Sequence, residues 1–347
     1  MSDPGPRDQP IDFVIMWVDG SDPETARARD DAVAQERAVG FTVNDTPNRH
    51  RDNGELLFLL RSIQAHMPWY RQIILVTNGQ RPSYIDFSSA AIRQVSQAEI
   101  FPSGSRTPSF NSRAVDCCIS SIEGLSENYV RFADDFLVGS LVAKGAFLGQ
   151  DGLGRHLVGS TVFNVGSSPY LENLQNNAVQ FWRTFQYLPV TNFLHVPQLR
   201  RRATIHQMEA AWPEWFSSTR SSRFRHTEDL ALMFLYPYFS LFQNRRSDLT
   251  LLATGKPAPG IVDVNRLSNI HKVYTQVRVG EKADWRAALN RISREPPMFF
   301  NINDDFGVDP SEKDRRYVGQ QLYRLFPKAS PFETRPELFP GYAAAGA

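Results

Sequence analysis

The residues of this chain that could do chemistry stand where short apolar runs stop. Asn128-Tyr-Val-Arg-Phe-Ala-Asp-Asp-Phe-Leu-Val-Gly139 reads as a buried strand that delivers two adjacent acids, Asp134 and Asp135. Paired carboxylates suit a hard divalent cation such as Mg²⁺, which takes one or two carboxylates plus the phosphate oxygens of a substrate. A lone Asp-Asp is usually a polar turn. Here Pro297-Met-Phe-Phe-Asn-Ile-Asn-Asp-Asp-Phe-Gly307 repeats the pattern with Asp304 and Asp305, and the recurrence points to a shared metal or polyanion site. Arg220, Arg223 and Arg225 crowd the stretch ahead of an apolar helix expected at 229–242. Guanidiniums beside free helix N–H groups suit an anion, although a solvated basic loop fits the same composition equally well.

These groups need elements to position them. Ile11-Asp-Phe-Val-Ile-Met-Trp-Val18 is almost continuously apolar, as strands buried on both faces are, and it stops at Asp19-Gly20-Ser-Asp-Pro. Ser21 or Asp22 caps a helix predicted over 23–38, with Pro23 in its first turn. Together they make a first β-α unit with Asp19 at its mouth, where ligands collect in open α/β sheets. A tight Asp-Gly turn is the equal alternative. A second helix begins after Arg51, with Asp52 and Glu55 at capping-box spacing and Leu56, Leu59, Leu60 and Ile63 as its apolar stripe. A strand over 72–77 ends at Asn78-Gly79, and a further strand is expected near 92–95. Helices are predicted at 111–122, 204–216 and 311–325. Residues 140–190 lack a clean period and read as an insertion that helps hold an acceptor.

Bulk properties narrow the function. A formal net charge of +1 argues against generic binding to nucleic acid or anionic membrane, so positive potential must be local. The two cysteines, Cys117 and Cys118, are sequence neighbours and are expected to be reduced and buried rather than a staple. The first residues lack the apolar core of a signal peptide, and the apolar stretch from Leu230 to Phe242 is interrupted by Pro237 and too short to span a bilayer. Cytoplasm is the simplest compartment on these grounds.

Taken together, these stretches resemble the Stealth family of hexose-1-phosphate transferases, which is marked by four blocks in fixed order. Ile11 to Pro23 is similar to the first. Arg51 to Gly139 is similar to the second, with Arg-Asp-Asn-Gly-Glu-Leu, Val-Thr-Asn-Gly-Gln, Ser-Phe-Asn-Ser-Arg-Ala and the Asp-Asp strand in register. His195-Val-Pro through Phe242, with Ser-Arg-Phe-Arg at 222–225, corresponds to the third, and 297–307 to the fourth. One departure stands out: Ala133 precedes the acids where the family usually has Asn.

The resemblance implies an α/β nucleotide-diphospho-sugar transferase fold of GT-A type, with a catalytic region over 11–308, an insertion at about 140–194, a polar lead-in at 1–10 and a C-terminal helix and tail at 309–347. It implies a UDP-sugar donor, a saccharide acceptor and Mg²⁺ or Mn²⁺. Asp134 and Asp135, with Asp304 or Asp305, would bind metal. Asp19, Gly20, Arg51, Asp52, Asn53, Asn78, Asn111 and Arg113 would contact the nucleotide or phosphates, and Arg223 and Arg225 would clamp the diphosphate. His195 is the favoured base because an unperturbed imidazole titrates near neutral pH, with Asp135 as the alternative. A glycosyltransferase releasing UDP and a silent sugar-nucleotide binder are the competing readings. No nucleic-acid partner is expected, and a peripheral association with polysaccharide export machinery is.

Overall fold

The computed structural model describes residues 9–334 apart from 44, 46–48, 150–151, 162, 164–167, 245–247, 249–260, 264–269, 281–283 and 308–310. Its strands are β1 (Ile11–Met16), β2 (Ile73–Thr77), β3 (Ile92–Ser96), β4 (Asn128–Ala133), β5 (Phe136–Val138), β6 (His156–Thr161), β7 (Thr191–Phe193), β8 (Gln198–Arg201), β9 (Ile261–Asp263), β10 (Tyr274–Val279) and β11 (Phe299–Asp304). Its helices are α1 (Pro23–Ala38), α2 (Glu55–His66), α3 (Gln97–Ile100), α4 (Ser112–Asp116), α5 (Pro169–Phe185), α6 (Arg202–Ala211), α7 (Pro213–Ser221) and α8 (Leu232–Asn244), followed by α9 (Ile270–Val273), α10 (Trp285–Arg294) and α11 (Glu312–Leu325). The chain is thus mixed α/β.

A central sheet has the order β3-β2-β1-β4-β8. β1 runs parallel to β2 and β4, β2 parallel to β3, and β8 closes the edge antiparallel to β4. Period-2 alternation divides its side chains between two cores. Phe13, Ile15, Ile73, Leu75, Val130 and Phe132 face one, packed under α2. Val14, Ile74, Val76 and Tyr129 face the other, with Ala114 and Val115 of α4. Burial on both faces is why these strands carry nearly continuous apolar sequence.

A second sheet, β10-β11-β5, joins the first through the chain itself: β4 runs into β5 after only Asp134 and Asp135. β11 lies parallel to β10 and antiparallel to β5, with Asn301 opposite Phe136. The two acidic strand ends, far apart in sequence, therefore approach one another. A third sheet, β7-β6-β9, takes its central strand β6 from the stretch that showed no period, which also supplies α5. Among the described residues no helix is long and apolar enough to cross a membrane.

Local structure departs from expectation in three places. Asp22 caps α1, accepting from the Glu24 and Thr25 amides, but α2 has no capping box. Gly54, at φ 87°, is its N-cap, and Glu55 accepts from the Asn53 amide instead of reaching back to Asp52. The glycine allows a left-handed turn that places Glu55 in the first helical position. The helix expected at 111–122 stops at Asp116 and gives way to a 3₁₀ turn at Ile119–Ser121. The helix expected at 204–216 is split into α6 and α7, because Pro213 starts a new helix better than it continues an old one. Cys117 and Cys118 are buried and unpaired with each other.

Candidate active site

The carboxyl ends of β1 and β4 lie side by side, with Met16 opposite Ala133, so the Asp19 loop and the Asp134-Asp135 turn share one rim. Gly20 is required there for space: its amide donates to the His50 carbonyl, and an added Cβ would stand 2.5 Å from the His50 Cβ. That contact brings residues 50–55 to the same rim. Asp134 is pushed well above the ordinary carboxylate range by burial, then by Asp135 and Asp52. Glu55 is pushed up likewise by burial, Asp52 and Asp134, and Asp52 by burial and Asp19. These acids form one pocket of negative potential. Asp135 accepts from the Asn301 amide at 3.3 Å, and Asn301 accepts from the Tyr274 hydroxyl at 2.7 Å.

Facing the acids is a group of guanidiniums. Arg225 donates to Ser112 Oγ at 2.9 Å and is held down to about 10 by burial and by the repulsion of Arg113, Arg49 and Arg131. Arg113 donates to the His226 carbonyl and is also lowered by burial. Arg131 rises from the middle of β4, its side chain 6% exposed, with Nε 3.5 Å from Asp116 and its guanidinium 5.8 Å from the centre of the Phe136 ring. Asp116 is committed to Arg200 through hydrogen bonds of 2.8 and 3.1 Å, and Arg131 Nη1 has no hydrogen-bond partner among the described residues. Cations that disfavour each other's charge are relieved by an anion.

His195 feels both groups. Its ring meets Phe136 edge to face at 4.6 Å, immediately beside Asp135. Burial, Arg131 and Arg225 hold its pKa below the ordinary value against the upward pull of Asp135. His195 and Arg225 are nonetheless exposed. Side chains that stay open to solvent yet are desolvated by surrounding protein line a concave wall, and the accessible surface is the better guide to what a ligand could touch. A separate hollow lined by Ser140, Lys272, Thr275, Arg291 and Glu295 holds none of these residues.

Several predicted residues are engaged elsewhere. Arg51 donates twice to Asp304, at 2.9 and 2.8 Å, and once to the Gly307 carbonyl. Asn53 donates to Asp304 and Glu55. Asp305 accepts from Arg278 at 2.8 Å. The acidic stretch 297–307 is thus bound by hydrogen bonds to the turn just ahead of α2, and Asn301 links it to Asp135. Arg223 turns away from the wall, donating to Gln35 of α1, with Arg106 and Glu36 as its charged neighbours. Arg220 pairs with Glu209 and the Cys117 carbonyl, so the three arginines do not converge. Asn111 is fully buried and ties down the Arg225 loop through Ser222, Phe224 and Asp229. Asn78 donates to Thr25 and accepts from the Gln80 amide; Gln80 in turn bonds the Asp19 backbone. Among the described residues no three His, Cys, Asp or Glu side chains are grouped to hold a metal ion.

Sequence reasoning passed over Arg131, Glu55 as a site acid, Tyr274 and Asn301. A charged residue inside an otherwise apolar central strand was the available signal for Arg131.

Known proteins match this sequence. Residues 49–156 match Stealth protein CR2, conserved region 2, and residues 194–242 match conserved region 3. The blocks near 11–23 and 297–307 lie outside those two spans. An exopolysaccharide phosphotransferase of Streptomyces coelicolor is 30% identical over 94% of this chain and 53% of its own length. One of Nocardia farcinica is 30% identical over 93% of this chain and 61% of its own, and the exopolysaccharide phosphotransferase CpsY of Mycobacterium leprae is 32% identical over 93% and 57%. The chain therefore spans about half to three fifths of the length of these relatives.

Proposed function

The chain belongs to the Stealth family, and from that premise we propose that it transfers hexose-1-phosphate, or its N-acetylhexosamine counterpart, from a UDP-sugar to an acceptor hydroxyl. The acceptor oxygen attacks the phosphorus next to the sugar. The bond from that phosphorus to the bridging oxygen breaks, UMP leaves, and a phosphodiester remains. Phosphoryl transfer asks little covalent chemistry of the protein and much positioning and charge neutralisation. The observation that carries this reading is that His195, packed on Phe136, lies within electrostatic reach of Asp135 and of the Arg225 and Arg131 guanidiniums alike. The reported activity of the relatives supports it.

Each group takes a role from its surroundings. His195, kept neutral by its setting, accepts the acceptor's proton. Arg225 and Arg113 neutralise the diphosphate, and Arg131 supports them from below. Asp19 and Asp52 border the donor. Asp134 and Asp135 are the residues suited to Mg²⁺ or Mn²⁺: adjacent, partly buried carboxylates that repel one another fit a hard cation, and two suffice when substrate phosphates complete the shell. The metal would supply charge neutralisation at the phosphates. Asp304 and Asp305 are better assigned to holding the rim together, and Arg223 to packing on α1.

The parallel strands with their ligand-facing carboxyl ends support a nucleotide-diphospho-sugar transferase architecture of GT-A type. We place the reaction in capsule or exopolysaccharide synthesis on the cytoplasmic side, beside export machinery. The test is the nucleotide product from a panel of UDP-sugars with Mg²⁺ and saccharide acceptors. UMP is expected; UDP would mean attack at the anomeric carbon, and donor binding without turnover would mean a silent binder.

A further inference from the structure

Tyr170 stands at the start of α5, between the two spans that match the family regions. It is 54% exposed, yet it is not a loosely hung surface aromatic. Its hydroxyl accepts from the Asn192 amide at 3.0 Å, and Asn192 lies three residues before His195. One turn further along α5, fully buried Asn173 donates to the Thr227 and Asp229 carbonyls at 2.8 and 2.7 Å. Asn176 donates to Glu228, and Asn177 to the Asp229 carbonyl. The start of α5 is thereby fastened to the loop that carries Arg225, while the Tyr170 hydroxyl is fastened to the strand that leads to His195.

An exposed phenol ring whose hydroxyl is held by a residue three positions from the proposed base has a specific use. The C–H face of a pyranose is apolar and carries slight positive charge, and the face of an aromatic ring carries the opposite quadrupole. A hexose can stack there while its hydroxyls bond neighbouring amides. We propose that Tyr170, anchored by Asn192, is the stacking platform for a hexose ring of the acceptor. The inference rests on the transfer reaction proposed above. The acceptor is favoured over the donor sugar because Asn192 ties the ring to the His195 side, where the acceptor hydroxyl must lose its proton. Tyr170 also sits within electrostatic reach of Arg113 and Tyr274, so the platform borders the same wall.

The test is saturation-transfer NMR of methyl α-glucoside and cellobiose with the UMP-bound protein, alongside UDP-glucose and UDP-N-acetylglucosamine affinities. Wild type and Tyr170→Phe are expected to bind the hexosides through ring protons. Tyr170→Ala should bind them about threefold to tenfold more weakly, the size of one aromatic contact, with donor affinity within twofold. Equal hexoside binding by Tyr170→Ala, no hexoside binding by wild type, or a parallel loss of donor affinity would each overturn the platform. UMP release is scored separately: hexoside binding that depends on Tyr170 with no UMP formed from any donor would sink the reaction and leave the subsite.

Discussion

Arg51 holds Asp304 by two hydrogen bonds across 253 positions of sequence, with the side chains only 12% and 7% exposed. The pair stitches the strand that supports Asp135 to the turn that starts α2. Removing one partner of a nearly buried pair leaves the other charge uncompensated. Asp304→Asn should therefore cost about 2–4 kcal/mol in urea unfolding and leave Mg²⁺ affinity unchanged. Full stability with lost metal affinity would instead make Asp304 a ligand.

His195 is assigned the proton, so its loss should strike chemistry and spare binding. His195→Ala is expected to keep donor affinity within twofold while kcat falls by roughly 10²–10⁴. Turnover like wild type would move the role to Asp135.

The neutral imidazole is the working form, and its pKa is lowered by burial, Arg131 and Arg225. A lowered value means that the ring loses its proton at lower pH. The acid limb of kcat/KM should then lie below the ordinary histidine value of about 6.5. Arg225→Met removes one repelling cation, so the limb should move to higher pH even as kcat/KM drops. A limb that stays in place would show that another group titrates.

Asp134 is raised by burial, Asp135 and Asp52, so without a cation it retains a proton to higher pH than a free aspartate. A metal needs the carboxylate form, and binding must expel that proton. Apparent Mg²⁺ affinity should rise with pH until Asp134 ionises by itself and then level off. Calorimetry in buffers of different ionisation enthalpy measures the proton directly; no release, with affinity flat in pH, would take Asp134 out of the ligand set.

Much of the central sheet was legible because its strands are buried on both faces and end at polar turns: β1, β2 and β4 all announce themselves this way. The first helix was readable from Asp22 and Pro23. What escaped notice depends on contacts distant in sequence. Arg51 reads as a phosphate ligand until Asp304 is seen against it, and Asp304 reads as a metal ligand for the same reason. Arg223 and Arg225 are two residues apart and look equivalent, yet one bonds Gln35 on α1 and the other Ser112 at the cleft. Residues 140–190 showed no clean period because α5 interleaves the apolar Leu174, Ala178 and Phe181 of its buried face with the buried asparagines Asn173 and Asn177, and the only strand described there is the short β6.

The central claim is that the phosphorus next to the sugar moves with it. A UDP-hexose carrying ³²P at that position should give labelled acceptor and unlabelled UMP in the presence of Mg²⁺, with the label lost from acceptor in His195→Ala. Label retained in UDP while unlabelled sugar reaches the acceptor would contradict the account.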